Sequence, residues 1–63
     1  MTKEQRIDSV MSIMLVHCKK AKEEKSVYEA ILASCYLGKL LEIDKDIGRK
    51  YIQEVKDLAL ALE

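Results

Sequence analysis

The side chains that could carry out chemistry in this chain are a single histidine, His17, and two cysteines, Cys18 and Cys35. A nucleophilic cysteine needs a histidine base within hydrogen-bond reach and a third group that orients the base. Neighbouring side chains on a helix diverge by about 100°, so only Cys35 could approach His17. A lone histidine at the edge of an apolar helix face is typical of a structural residue. We therefore expect no catalytic residues and a protein that is not an enzyme.

Metal-binding patterns are equally incomplete. Structural zinc sites use about four ligands, and His17, Cys18 and Cys35 supply only three candidates. The segment DKDIG at residues 44–48 superficially resembles the start of an EF-hand calcium loop. Its glycine is at the fifth position instead of the sixth, and Val55 stands where a bidentate glutamate is required. We therefore expect neither a metal nor a cofactor, and we interpret the aspartates as helix caps.

Both cysteines are expected to be buried free thiols. They fall on apolar faces of predicted helices, and the polar residues that follow Met1 do not form the apolar segment of a secretory signal. Such a chain is expected in the cytoplasm, where thiols stay reduced.

The elements that must position these residues are helices, which together form a single predicted domain over residues 1–63. The chain has no proline and two glycines, and it is rich in residues of high helix propensity. Start signals and apolar periodicity place the helices at about 3–24, 27–41 and 45–62. Short connections make neighbouring helices antiparallel. The predicted fold class is all-α, either a small three-helix bundle or a long helix packed against a helical hairpin.

Three helix start signals support these bounds. The sequences TKEQ at residues 2–5 and SVYE at residues 26–29 both fit the capping box, in which the first hydroxyl and the last side chain satisfy each other's backbone amides. Asp44 or Asp46 could cap the third helix.

The first predicted helix carries a heptad-like apolar seam, formed by Ile7, Met11, Met14, Cys18 and Ala21. Methionines can form an adaptable groove for a partner, although at this spacing they usually belong to a core. We regard Met11, Met14 and Cys18 as candidates for a self-association or partner interface.

The second predicted helix is apolar on nearly every side, which is typical of a helix buried in more than one direction. Its residues Ala30, Ser34 and Gly38 recur every four positions and form a ridge of small side chains that another helix could approach closely. The ridge could pack within the chain, or against its own copy across a two-fold axis. We add these three residues to the candidate interface.

The size of the chain also favours self-association. In a domain of 63 residues, the free energy gained by apolar burial nearly cancels the entropy lost on ordering the chain. Small domains overcome this limit with disulfides, metals, oligomerisation or very regular helix packing. We expect a homodimer with the first or second helix in the interface.

The charge pattern gives no general attraction to nucleic acid or to membranes, because eleven basic and eleven acidic side chains cancel. No apolar run approaches the length of a membrane span. Two basic clusters could contact phosphates in an alternative role as a nucleic-acid-binding protein. Their candidate residues are Lys19, Lys20, Lys22, Arg49 and Lys50. Acidic residues interleave with both clusters and disfavour this alternative.

These features favour a small non-catalytic helical module that binds proteins and acts as a regulator or inhibitor by covering a partner's surface. Its size and class are typical of phage- or plasmid-encoded modulators. The alternative is a small dimeric transcriptional regulator that binds nucleic acid. A protein-binding module should expose an apolar patch even as a dimer, and Val16 and Leu60 are candidates for that patch.

Overall fold

A computed structural model describes residues 1–62, which form three α-helices and no β-strand. In chain order they are α1 (Lys3–Glu24), α2 (Val27–Ile43) and α3 (Lys45–Ala61). The prediction of an all-α, three-helix fold is confirmed. No helix in the described part of the chain combines the length and apolarity needed to cross a membrane.

The observed bounds lie within two residues of the predicted ones. Helix α2 continues through Gly38 and extends to Ile43, two residues past the predicted end. Helix α3 ends at Ala61, one residue earlier than predicted. Glu63, which the predicted domain includes, lies outside the described residues.

The start of α1 is a complete capping box. The Thr2 hydroxyl accepts a hydrogen bond from the Gln5 backbone N–H at 3.1 Å, and the Gln5 side-chain oxygen accepts one from the Thr2 N–H at 3.0 Å. At the start of α2, the Ser26 hydroxyl accepts from the Glu29 N–H at 3.2 Å. The Glu29 carboxylate does not return this bond, because it binds His17 of α1 instead. The second predicted capping box is therefore only half formed.

A single residue, Asp44, separates α2 from α3. Its backbone N–H donates to the Leu40 carbonyl at 2.8 Å, and its carboxylate accepts from the Ile47 N–H at 3.1 Å. The Lys3 ammonium of α1 lies 3.6 Å from the same carboxylate. The hydrogen bond from Ile47, and then the charge of Lys3, lower the pKa of Asp44. One ionised side chain therefore begins α3 and holds the start of α1 against this corner.

Helix α2 is the centre of the fold. Helices α1 and α3 pack on two of its sides and touch each other only sparingly. The buried core takes residues from all three helices: Ile7, Met14, Cys18, Ala21, Ala30, Ala33, Leu37, Leu40, Val55 and Leu58. Four of the five predicted seam residues of α1 are in this core, and Met11 packs against it.

The surface area and the radius of gyration are within about a tenth of the values expected for this mass and length. A folded chain of 7.2 kDa is expected to expose about 4,100 Å² of surface, whereas this one exposes 4506 Å². Its radius of gyration is 11.3 Å, compared with about 10.6 Å expected for its length. Helices α1 and α3 pack on two sides of α2 with little contact between them, and they leave one side of α2 uncovered.

Of the two glycines, Gly48 and not Gly38 lies at a close approach between helices. A Cβ atom at Gly48 would lie 2.6 Å from the Leu41 Cδ2 atom and 3.0 Å from the Leu41 Cα atom. A Cβ atom at Gly38 would have no neighbour within 4 Å. Close packing of the small-residue ridge within the chain is therefore wrong at Gly38, which faces open space.

Alanine substitutions at the two glycines should distinguish the effect of close packing on stability from the effect of helix propensity. We expect Gly48→Ala to lower the free energy of unfolding by about 1–3 kcal/mol, because the added methyl group collides with backbone as well as side chain. Gly38→Ala, the matched control, should raise it by about 0.5–1 kcal/mol. Urea unfolding followed by circular dichroism, at one low protein concentration, measures both. A Gly48→Ala variant as stable as the wild type would contradict the close approach.

Candidate protein-interaction surface

Helix α2 is exposed on the side that neither α1 nor α3 covers. At 100° per residue, its exposed positions fall within one continuous arc of about 140°. We call this arc the outward face of α2, and its residues are Val27, Tyr28, Ile31, Ser34, Cys35, Gly38, Lys39 and Glu42. Val27, Tyr28 and Ile31 are each more than half exposed. The N-terminal three turns of the outward face are therefore apolar or small throughout.

An open groove continues this surface onto α3. It has a volume of about 220 Å³ and is lined by Val27, Ala30, Ile31 and Ser34 of α2 and by Ala59 and Leu62 of α3. Leu60, a predicted patch residue, is 65 % exposed, but it lies about 200° around α3 from the buried Leu58 and outside this groove. The apolar surface is therefore broader than a single helix face.

The predicted interface residues divide into two groups. Met14, Cys18 and Ala30 are buried in the core of the chain itself, and Met11 is partly buried against that core. Ser34 and Gly38 are exposed on the outward face of α2. The seam of α1 is thus occupied by the chain's own helices, while the last two members of the ridge are accessible.

A second apolar surface lies on α1. Ile13, Leu15 and Val16 are exposed, with Val16 at 52 %. Val16 lies on the side of α1 that faces away from the core residues Met14 and Cys18, and Ile13 is one turn before it. This surface is separate from the outward face of α2.

His17 joins α1 to α2. Its Nδ1 atom lies 2.5 Å from the Glu29 Oε2 atom, and both side chains are largely buried, with exposed fractions of 19 % and 15 %. The imidazole ring also stacks on Tyr36, with ring centroids 5.6 Å apart and planes 13° apart. The ring lies between two α2 residues and makes no hydrogen bond with Cys35, so its role is a structural contact between α1 and α2. The sequence offered one signal for this pair, since Glu29 interrupts an otherwise apolar helix.

The two cysteines have different surroundings, and both are free. Cys18 is buried, and burial raises the pKa of its thiol; the negative charge of Glu54 raises it further, against a smaller opposite effect of Lys22. A neutral buried thiol is a poor nucleophile. Cys35 is exposed, so the prediction of two buried thiols is right for Cys18 and wrong for Cys35. Cys35 is exposed because it lies on the outward face of α2.

A wider groove lies between the start of α1 and the end of α2. Its volume is about 780 Å³, and Lys3, Arg6, Lys39 and Glu42 contribute charges around it. Within residues 1–62, no group of three histidine, cysteine, aspartate or glutamate side chains lies close enough together to hold a metal ion.

The predicted phosphate-contacting residues lie at opposite ends of the molecule. Lys19, Lys20 and Lys22 are exposed near the end of α1, whereas Arg49 and Lys50 are exposed near the start of α3. Because consecutive helices are antiparallel, these two positions are separated along the long dimension of the protein, which is 36 Å. The fold does not combine them into one basic surface.

Comparisons of the chain with protein-family models, with curated proteins and with solved structures find no match.

Removing the Glu29 carboxylate should weaken the contact between α1 and α2. We expect Glu29→Ala to lower the free energy of unfolding by about 1–3 kcal/mol, because it leaves the His17 ring without its partner in a largely buried place. Glu23→Ala is the matched control: Glu23 is exposed and lies 3.9 Å from Lys19, so its loss should cost no more than about 0.5 kcal/mol. Urea unfolding measures both, and equal effects would contradict a structural role for the His17–Glu29 pair.

Proposed function

We propose that this protein is a non-catalytic helical protein–protein interaction module that acts as a homodimer and regulates or inhibits a partner by covering part of its surface. The outward face of α2 carries this proposal. Its large apolar side chains Val27, Tyr28 and Ile31 are more than half exposed and adjacent on one helix. Contiguous exposed apolar surface is typical of interaction sites.

A second copy is the partner that suits this face. A chain this small gains little stability from its own core, and one side of its central helix is uncovered. The apolar and small residues of the outward face extend for about 16 Å along α2, and the groove beside Ala59 and Leu62 widens the surface. Stable interfaces bury about 800 Å² on each partner, so α2 and its α3 flank would need to be covered together.

The exposed surface of α1 suits a different protein. Ile13 and Val16 lie on α1, away from the outward face of α2, so a dimer formed through α2 would leave them accessible. Two copies of this surface would allow one dimer to cover a partner at two places. In this arrangement, the outward face of α2 mediates self-association and the exposed surface of α1 binds the regulated partner.

The surroundings of the reactive side chains support a role without catalysis. His17 is occupied by Glu29 and Tyr36, and the Cys18 thiol is buried with a raised pKa. Neither group is positioned to meet a substrate, as a nucleophile or its base must be.

Two charge substitutions at equally exposed apolar positions should distinguish the surfaces. Ile31 is 56 % exposed and Val16 is 52 % exposed, so a glutamate at either place is compatible with the folded chain. We expect light scattering on a sizing column to give twice the 7.2 kDa chain mass for the wild type and for Val16→Glu. Ile31→Glu should give the monomer mass, because the charge would be buried in the dimer. If the Ile31→Glu variant is still a dimer, the outward face of α2 is not the dimer interface.

Site-specific photo-crosslinking in the native cell tests the regulatory surface. A photoreactive amino acid at Val16 should form an adduct with one defined protein other than the chain itself. The same group at Ile31 should capture a second copy, and at the exposed residue Gln53 it should capture neither. Adducts at Val16 that contain only the chain itself, or no adduct at all, would contradict a protein partner on α1.

A further inference from the structure

We propose that the second copy packs antiparallel on the outward face of α2, with the two-fold axis between Ser34 and Cys35, so that each Ile31 fits over the partner's Gly38. This geometry rests on the proposed homodimer and specifies how its two central helices meet. Three features of the outward face support it: an exposed Ile31 at the position opposite an uncovered glycine, a satisfied hydroxyl at the centre, and charges at the ends that favour the antiparallel orientation.

Ile31 and Gly38 are complementary in shape. Ile31 is a branched side chain that projects from the outward face of α2, 56 % exposed. Gly38 has no side chain, and the place where a Cβ atom would lie has no neighbour within 4 Å. In an antiparallel pair centred between Ser34 and Cys35, these two positions lie opposite each other, and symmetry repeats the contact. Each Ile31 then packs over exposed backbone that no side chain of the partner covers.

The centre of the proposed contact can be buried without loss of a hydrogen bond. The Ser34 hydroxyl already donates to the Ala30 carbonyl of its own helix, at 3.0 Å. A buried donor without a partner is costly, and this internal bond avoids that cost. The small side chains at the centre also allow the two helices to approach at the short end of the usual range of about 8–10 Å.

The ends of the outward face favour the antiparallel orientation. Glu42 is exposed at the C-terminal end of the face, and Lys25 is exposed next to its N-terminal end. An antiparallel partner brings its Glu42 close to the N-terminus of α2, where a negative charge is stabilised. A parallel partner would instead place two glutamates side by side, which is unfavourable.

Cys35 provides a native reporter of this geometry. It is exposed on the outward face and adjacent to the proposed axis. A two-fold axis perpendicular to both helices places the two Cys35 side chains on the same side of the contact, within reach of a short linker. Cys18 does not compete, because it is buried and its thiol pKa is raised.

The first test is cross-linking of the wild-type protein with bismaleimidoethane at a concentration where light scattering gives the dimer mass. We expect most of the protein to become a covalent dimer, with peptide mapping showing Cys35 joined to Cys35. The Cys35→Ser variant should remain uncrosslinked. A dimer mass without a Cys35 adduct would overturn the register, and a monomer mass at all concentrations would overturn the homodimer itself.

The second test moves the large side chain from position 31 to position 38. Gly38→Leu and Ile31→Ala should each weaken the dimer by about tenfold or more, through a collision and through lost burial. The double variant should dimerise more tightly than either single variant, because the leucine at position 38 then faces the alanine at position 31 of the partner. Sedimentation equilibrium gives the dissociation constants. A double variant no tighter than the single ones would contradict the Ile31–Gly38 contact, even if the wild type is a dimer.

Discussion

Helix α2 carries apolar side chains around nearly its whole circumference, and the rest of the fold is arranged around the need to cover them. Helix α1 covers one side of α2 and α3 covers another, with the largest fully buried side chains, Met14 and Leu40, at the centre. None of the three helices in residues 1–62 covers the third side of α2. The proposed homodimer follows from this constraint, because a second α2 offers a surface of the same length, shape and polarity.

The polar contacts of the structure hold the two covering helices in place. Asp44 ends α2, begins α3 and pairs with Lys3 of α1. Gly48 lets α3 approach α2 closely, beside Leu41. The contact of His17 with Glu29 and Tyr36 fixes α1 on another side of α2. With both flanks fixed in this way, neither α1 nor α3 can shift to cover the outward face of α2 without breaking these contacts.

The sequence predicted the helices well because their start signals and apolar periodicity are local. Thr2, Ser26 and Asp44 act within one helical turn, and the seam of α1 follows the period of a helix. The failures involve contacts between helices. Gly38 and Gly48 look alike in the sequence, and only the position of α3 gives close packing to Gly48. Apolar patterning predicts a buried Cys35 because it does not reveal which side of α2 lacks a neighbour. The pairing of His17 with Glu29 is also a contact between two helices, which local patterns do not predict.

In the proposed homodimer, a second copy covers the outward face of α2. Isotope-filtered nuclear Overhauser spectroscopy on a mixture of labelled and unlabelled chains tests it most directly, because it reports only contacts between protomers. We expect intermolecular signals from the Ile31 methyl groups to the Gly38 α-protons of the other chain, and none from the Val16 methyl groups. Intermolecular signals confined to α1 or to the outer side of α3, or none in a concentrated sample, would contradict it.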